Sequence, residues 1–238
     1  MSARFEELDW RETPMGAISL RRRREPLSEV DVYEVKLDDD YLMSSLFTVA
    51  EVEVARLALA WVDGSELSVA VGGLGLGYTA QTVLDDPRVS DLVVIDAIAE
   101  VIEWHERGLI PLGAELTADA RCRLVHGDFF AMVDSEDGLD PARPERQFDA
   151  IVVDIDHSPR HLLNPTHAGF YGPGGVRRLS THLRSGGVFT LWSNDPPDEE
   201  YCAVLDEVFT DVAAEVVTFA NPLQDRDATN TVYLARNR

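Results

Sequence analysis

Residues 69–79 read Val-Ala-Val-Gly-Gly-Leu-Gly-Leu-Gly-Tyr-Thr, and this stretch decides the fold. The apolar run from Leu67 to Val71 predicts a strand, the glycines predict a tight turn, and a helical pattern follows Gly77. Glycines allow a ligand to approach the backbone closely, and the start of a helix offers free N–H groups. The stretch therefore predicts a ligand-binding turn between a strand and a helix. A tight turn without a ligand is the alternative.

The glycines are spaced Gly73-x-Gly75-x-Gly77, and a second apolar run, which begins at Leu92, ends in Asp96. Nucleotide-binding α/β folds place an acid at such a strand end, where it holds ribose hydroxyls. The glycines stand closer together than in the Gly-x-Gly-x-x-Gly pattern of dinucleotide-binding enzymes. This spacing is usual in proteins that bind S-adenosylmethionine, so the three glycines and Asp96 are predicted to bind that cofactor.

Composition limits the class of protein and of partner. With 238 residues, of which 45% are hydrophobic, the chain suits one α/β domain with a small N-terminal extension. A net charge of -22 argues against a nucleic-acid partner and is compatible with a cationic amine, while a solvated acidic surface is the alternative. No apolar run is long enough for a membrane span, and the first residues lack a signal-peptide layout. The two cysteines, Cys122 and Cys202, do not suggest a disulfide framework, so a cytoplasmic protein is expected.

The first 62 residues are predicted to form an arm, a hairpin and a helix, ahead of a main domain at 63–238. Residues 1 to about 28 show no sustained period and predict an irregular arm, with Arg21–Arg24 as a solvated or anion-binding run. Alternation between residues 30 and 43 predicts a β-hairpin. Thr48 and Glu51 fit a capping box that opens an amphipathic helix at 49–61.

Strands and helices alternate from Leu67 onward, which predicts a Rossmann-like, mostly parallel seven-stranded sheet with helices on both faces. Strands are predicted near 67–71, 91–96, 121–126, 148–154, 187–192, 213–219 and 230–235. Helices are predicted near 78–85, 98–108, 128–134, 173–185 and 197–210. The last two strands lack a helix between them, so the last strand is predicted to be antiparallel.

Two further acids stand at predicted strand ends. Asp128 follows a strand and precedes Phe129. It can accept a hydrogen bond from an adenine amino group, with the aromatic ring beside the base, or it can cap the following helix. Asp154 ends the next strand and can hold an amine and take its proton; His157 or His161 can act likewise. Loop capping is the alternative for these groups.

A metal cluster is a further interpretation of these acids and histidines. Its members would be Asp154, Asp156, His157, His161 and His167. The histidines lack a paired spacing on a helix, so no metal is expected.

Together these residues resemble the spermidine synthase-like branch of the S-adenosylmethionine-dependent transferases. The family's glycine motif is similar to residues 73–79, its ribose acid matches Asp96, and its adenine-contacting acid matches Asp128. The family's motif around the catalytic acid resembles residues 148–157 and places that acid at Asp154. A Phe-Tyr pair of the family matches Phe170 and Tyr171. The resemblance runs from about residue 31 to the C-terminus.

The chain departs from the family at two acids. Leu76 stands where aminopropyltransferases have an acid that holds the propylamine end of decarboxylated S-adenosylmethionine, and His157 stands where they have a second acid near the amine. The resemblance therefore implies methyl transfer from S-adenosylmethionine to a small, amine-bearing molecule, with Asp154 as the base, helped by His157 or Tyr171. Aminopropyl transfer and a non-catalytic nucleoside-binding scaffold are the alternatives. It also implies a homodimer.

Overall fold

Four antiparallel strands form a small N-terminal sheet in order along the chain. The structure is a computed structural model that describes residues 5–26, 29–221 and 226–238. The strands are β1 (Phe5–Thr13), β2 (Gly16–Arg24), β3 (Asp31–Leu37) and β4 (Asp40–Ser44). The predicted hairpin at 30–43 is confirmed as β3 and β4. The ends of the predicted arm, residues 1–4 and 27–28, lie outside the described residues.

The prediction of an irregular arm is wrong, because β1 and β2 pair as a hairpin. Ile18 and Leu20 are fully buried and hold β2 against the core. The arginine run stays partly exposed to solvent, as expected, but it is not free to bind an anion, because each arginine faces an acid on a neighbouring strand. These pairs are Arg21 with Glu7 (3.7 Å), Arg22 with Glu6 (2.5 Å), Arg23 with Glu34 (2.7 Å) and Arg24 with Asp31 (3.2 Å).

A seven-stranded sheet forms the centre of the molecule. Its strands are β5 (Leu67–Gly72), β6 (Val89–Asp96), β7 (Cys122–His126), β8 (Phe148–Val153), β9 (Leu183–Ser193), β10 (Thr210–Asn221) and β11 (Arg226–Arg236). Their order is β10-β11-β9-β8-β5-β6-β7. Strand pairs from β9 to β7 are parallel, while β11 runs antiparallel to both of its neighbours. The predicted Rossmann-like sheet with an antiparallel last strand is therefore confirmed.

Helices cover both faces of this sheet, as predicted. They are α1 (Val49–Trp61), α2 (Tyr78–Asp85), α3 (Ala99–Glu106), α4 (Gly113–Ala118), α5 (Phe129–Asp134), α6 (Pro173–Thr181), α7 (Glu199–Asp206) and a 3₁₀ helix (Pro165–Gly169). One apolar core lies under α1 to α4 and the other under α5 to α7. The helix predicted at 173–185 ends at Thr181, because β9 already begins at Leu183. None of the helices in the described ranges is long and apolar enough to cross a membrane.

The predicted helix at 49–61 is confirmed as α1, but its capping box is wrong. Thr48 precedes the helix without a side-chain capping hydrogen bond. Glu51 instead lines a cavity at the edge of the large sheet. Helix α1 packs against α2 and β9, so it brings this carboxyl to the edge where the parallel strands end. The division between residues 62 and 63 stays a prediction.

Candidate functional site

A cavity of about 310 Å³ opens at the carboxyl ends of the parallel strands. Gly73 follows β5, Asp96 ends β6, Asp128 follows β7 and Asp154 follows β8, so four neighbouring strands each deliver a residue to one place. The N-terminal sheet covers the cavity through Met15, Val35, Leu42 and Met43. The predicted site residues that line it are Gly73, Gly75, Asp96, Asp128, Phe129, Asp154 and His157.

The glycine turn is tight, as predicted, and it packs closely against the neighbouring backbone. Gly73 has a φ of 97°, and a Cβ there would collide with the backbone oxygen of Asp154. Gly77 has a φ of 92° and precedes α2; it lines only a small space beside the cavity. His105 approaches the turn from α3, with its Nε2 2.8 Å from the backbone oxygen of Gly75. Burial lowers the pKa of His105, so the neutral ring donates Nε2–H to that oxygen and holds the turn.

Asp96 is bound by the backbone on both of its oxygens. Its Oδ2 accepts from the N–H of Leu74 at 3.0 Å and from that of Gly75 at 3.5 Å, and its Oδ1 accepts from the N–H of Ile98 at 2.8 Å. Burial raises the pKa of Asp96, and these backbone donors oppose that change. A carboxylate has about four acceptor positions. The remaining one is therefore free to accept from a hydroxyl of a sugar in the cavity.

Asp128 lies where it can both cap α5 and contact a ligand in the cavity, the two roles that the sequence predicts for it. Its Oδ1 caps α5, accepting from the N–H of Phe130 at 3.0 Å and of Ala131 at 3.2 Å. The residue also lines the cavity, beside Phe129, which is almost fully buried. Capping and ligand contact are compatible here, because one oxygen suffices for the cap and the other can face a base.

Glu51 and Asp154 form a half-buried carboxyl pair, although they stand about 100 residues apart in the sequence. Thr79 Oγ1 donates to Asp154 Oδ2 at 2.9 Å. Burial raises the pKa of Asp154 to about 6, against the opposing effect of the Thr79 hydroxyl. Burial and the nearby charge of Asp154 raise the pKa of Glu51 to about 8. Both carboxyls therefore hold a proton more tightly than an ordinary acid, and near neutral pH the pair resists carrying two charges at once.

The charge of the cavity wall has one sign. The acids on it are Glu51, Asp96, Asp128 and Asp154, and no lysine or arginine is among its lining residues in the described ranges. A cation in this cavity finds acceptors close by, whereas an anionic group finds no ionic partner there. The cavity is therefore complementary to a ligand that carries a positive charge.

The predicted catalytic residues separate in the structure. His157 lines the cavity beside Asp154, while His161 lies outside it, with Nδ1 2.7 Å from Asp195. Tyr171 is buried and does not reach the cavity wall; its hydroxyl donates to Asp156 at 2.8 Å. A direct role of Tyr171 in proton transfer is therefore not supported, because the Asp156 carboxylate occupies its hydroxyl. Within the described ranges, no group of three or more His, Cys, Asp or Glu side chains is arranged to hold a metal ion.

A second cavity of about 560 Å³ adjoins the first, and Met43, Glu51 and Trp192 line both. Its wall is more polar and includes Asn194 and Asn230, whose side chains are joined by a 3.0 Å hydrogen bond. Glu51 thus lies where the two cavities meet, while Asp154 lines only the first of them. A molecule in the second cavity reaches the contents of the first at this point.

Several residues around the cavity were not predicted to belong to a cofactor or acceptor site. These are Glu51, His105, Asn164, His167 and Trp192. For Glu51 a signal exists in the sequence. It lies three and four residues before Val54 and Ala55, which are both fully buried, so it belongs to the inward face of α1. An acid on such a face requires a partner or a ligand.

The fold and the site define a Rossmann-like α/β protein with an acidic cavity at the strand ends. The chain is similar to the crystal structure of spermidine synthase from Thermotoga maritima, with a TM-score of 0.71 and 16% identity over 97% of this chain and 72% of the other. It is equally similar to a spermidine synthase in complex with the transition state analogue AdoDATO, with a TM-score of 0.71, 15% identity and the same coverage. No protein-family model matches the chain. The predicted resemblance is thus confirmed for the fold.

Proposed function

We propose that this protein is a transferase that moves an aminopropyl group from decarboxylated S-adenosylmethionine to a small amine. The observation that carries the proposal is the charge of the cavity, which has four acids and no lysine or arginine on its described wall. The decarboxylated donor has an ammonium group and a sulfonium but no carboxylate. S-adenosylmethionine itself would bring a carboxylate close to the half-buried pair of Glu51 and Asp154, and that contact is unfavourable.

Glu51 supplies the acid that the glycine turn lacks. Leu76 is buried in the core and cannot bind a cation. A small space beside the turn is lined by Leu76, Thr79, Glu51 and Asp154, so the two carboxyls face the residue that replaces the acid. A carboxyl from α1 therefore takes over the role of a carboxyl from the turn. This substitution removes the main objection that the sequence raises against aminopropyl transfer.

The remaining residues have distinct tasks in this proposal. Gly73, Gly75 and Asp96 hold the sugar end of the donor, and Asp128 with Phe129 holds the base. When bound, such a donor supplies an electrophilic carbon next to its sulfonium. Asp154 accepts a hydrogen bond from the acceptor amine and orients its lone pair, while Thr79 holds the carboxylate in place.

Transfer forms a nitrogen–carbon bond as the carbon–sulfur bond breaks, and the amine then loses a proton. Asp154 is suited to take it, because its pKa of about 6 makes it a better base than an ordinary carboxylate and still leaves it ionised at neutral pH. His157 stands next to Asp154 on the cavity wall and can pass the proton to water. The second cavity has room for the rest of the acceptor.

Methyl transfer, the first expectation from the sequence, stays a prediction, and the charge of the cavity favours the alternative. Methyl and aminopropyl transfer leave different nucleosides, S-adenosylhomocysteine and methylthioadenosine, and mass spectrometry separates them. The test incubates the protein with each donor and a panel of small diamines and monoamines. We also propose that the protein forms a homodimer and is located in the cytoplasm.

Methylthioadenosine, formed only with the decarboxylated donor and an amine, is the expected product. The Asp154→Asn variant should lose at least about 100-fold in turnover, because a positioned base contributes that much or more. Glu53→Gln is the matched control: Glu53 lies on α1, two residues after Glu51, and pairs with Arg56 instead of facing the cavity. S-adenosylhomocysteine as the product would replace the proposal with methyl transfer, and binding of a donor without any product would leave a nucleoside-binding scaffold.

A further inference from the structure

A buried network outside the proposed catalytic groups fixes the orientation of His167. Its Nδ1 lies 3.0 Å from Asp156 Oδ1 and 3.1 Å from Asp156 Oδ2. Asp156 is 1% exposed and also accepts from the Tyr171 hydroxyl at 2.8 Å and from the Leu163 N–H at 2.7 Å. Four contacts thus converge on one buried carboxylate. No step of the proposed transfer uses this network.

The network determines which ring nitrogen of His167 carries a hydrogen. Because the Asp156 carboxylate accepts, Nδ1 of the neutral ring carries the hydrogen and Nε2 is left as an acceptor. His167 lines the main cavity, so the edge of the ring that does not face Asp156 is the one available there. The ring also lies against Phe130, with centroids 4.0 Å apart and 31° between the planes. Phe130 follows Asp128 by two residues, so His167 stands at the end of the cavity where Asp128 and Phe129 are expected to hold a base.

Asn164 offers the opposite hydrogen-bonding group from the same segment. Its Oδ1 accepts from the Thr166 N–H at 3.0 Å and from the Thr166 hydroxyl at 2.9 Å, as the N-cap of the 3₁₀ helix. The amide oxygen is therefore occupied, and the NH₂ group is the one left to donate into the cavity that Asn164 also lines. Both residues line the main cavity, Asn164 just before the 3₁₀ helix and His167 within it. Asn164 and His167 therefore offer a donor and an acceptor to the same cavity.

We propose that Asn164 and His167 read the base of the bound nucleoside and select adenine. His167 Nε2 accepts from the exocyclic amino group, and Asn164 donates to the adjacent ring nitrogen N1. The amino group has two hydrogens, and the second is left for the free oxygen of Asp128. Hypoxanthine has a carbonyl oxygen in place of the amino group and an N1–H in place of the bare nitrogen, so it opposes both contacts. The inference rests on the proposed nucleoside-dependent function and adds the residues that determine its base specificity.

The test measures calorimetric binding of methylthioadenosine and methylthioinosine to the full chain. The wild type should prefer methylthioadenosine by about 10-fold to 100-fold or more, because the wrong base leaves buried polar groups unpaired. Asn164→Asp keeps the helix cap, since Asp and Asn cap equally well, but replaces the donor with an acceptor. This variant should lose at least about 10-fold of the preference. Asn164→Ser, which keeps a capping oxygen and lacks both amide groups, should lose less.

His167→Phe keeps a ring beside Phe130 and removes the acceptor, so it should lower methylthioadenosine affinity by about 10-fold and should not lower methylthioinosine affinity. His161→Phe is the matched control, because this histidine lies outside the cavity beside Asp195, and the variant should keep the wild-type preference. If the folded Asn164→Asp and His167→Phe variants keep the wild-type preference for methylthioadenosine, this inference is wrong and the proposed function is unaffected. A wild type that binds neither nucleoside overturns the proposed function and this inference together.

Discussion

Replacing Glu51 with Gln tests the carboxyl pair, because Gln keeps the size of the side chain and cannot release a proton. Burial and the charge of Asp154 raise the pKa of Glu51 from its ordinary value of 4.5 to about 8. Each pKa unit corresponds to about 1.4 kcal/mol between the two protonation states. Ionising Glu51 in the folded protein therefore costs up to about 5 kcal/mol more than ionising it in the unfolded chain.

The sign of the effect follows from proton binding. The folded protein holds this proton more tightly than the unfolded chain, so the free energy of unfolding falls as pH rises from about 4.5 to about 8. Gln removes this dependence. Relative to the wild type, Glu51→Gln should therefore gain several kcal/mol of stability between about pH 5 and about pH 9, and it should be the more stable protein at the alkaline end.

Urea unfolding followed by tryptophan fluorescence measures this difference at several pH values. Glu53→Gln, which removes an acid from the same helix but outside the cavity, should follow the wild-type pH dependence. If the stability difference between Glu51→Gln and the wild type changes by less than about 1 kcal/mol across that range, Glu51 is not the half-buried acid that the structure describes.

Three further predictions concern the cavity and its support. Binding of decarboxylated S-adenosylmethionine near pH 7 should release a proton from Glu51, because a bound ammonium favours the carboxylate; calorimetry in buffers of different ionisation enthalpy should detect this in the wild type and not in Glu51→Gln. Asp96→Asn should weaken methylthioadenosine binding by about 10-fold or more while the protein stays folded, because a charged acceptor for ribose is lost; unchanged affinity in titration calorimetry would remove Asp96 from the site. Tyr171→Phe should lower the free energy of unfolding by about 1 kcal/mol without changing turnover, because its hydroxyl supports Asp156 only; a large loss of turnover in a stable variant would return Tyr171 to catalysis.

The centre of the large sheet was predictable because its inner strands β5, β6, β8 and β9 are largely buried on both faces. Continuous apolar runs such as residues 92–95 are typical of parallel strands, and each ends in a residue that the chain topology carries to the same edge. This is why Asp96, Asp128 and Asp154 were assigned together and now line one cavity. The position of a side chain at a strand end depends on local sequence, so a pattern suffices to find it.

The first hairpin was not predictable in the same way. Strands β1 and β2 have few buried apolar side chains, and much of their pairing is between arginines and acids on neighbouring strands. Their pattern therefore resembles a charged, irregular arm until the register is known. The register aligns Arg22 with Glu6, and only then do the charges become pairs.

The acceptor side of the site depends on contacts between distant segments. Glu51 meets Asp154 only because α1 packs across β8 and β9, and the spacing of Thr48 and Glu51 fits a capping box equally well. His167 is oriented by Asp156, and it lies in a 3₁₀ helix that follows a loop and that the sequence did not indicate. The sequence places Glu51 on the inward face of α1, but no local pattern indicates that it meets Asp154 or that His167 meets Asp156.

Calorimetric binding of S-adenosylmethionine and of its decarboxylated form tests whether the cavity selects the decarboxylated donor, because the two donors differ only in the carboxylate. The cavity places two half-buried acids, Glu51 and Asp154, beside the glycine turn and no lysine or arginine on its described wall. We expect the decarboxylated form to bind at least about 10-fold more tightly, which corresponds to about 1.4 kcal/mol. Equal binding, or tighter binding of S-adenosylmethionine, would contradict this expectation.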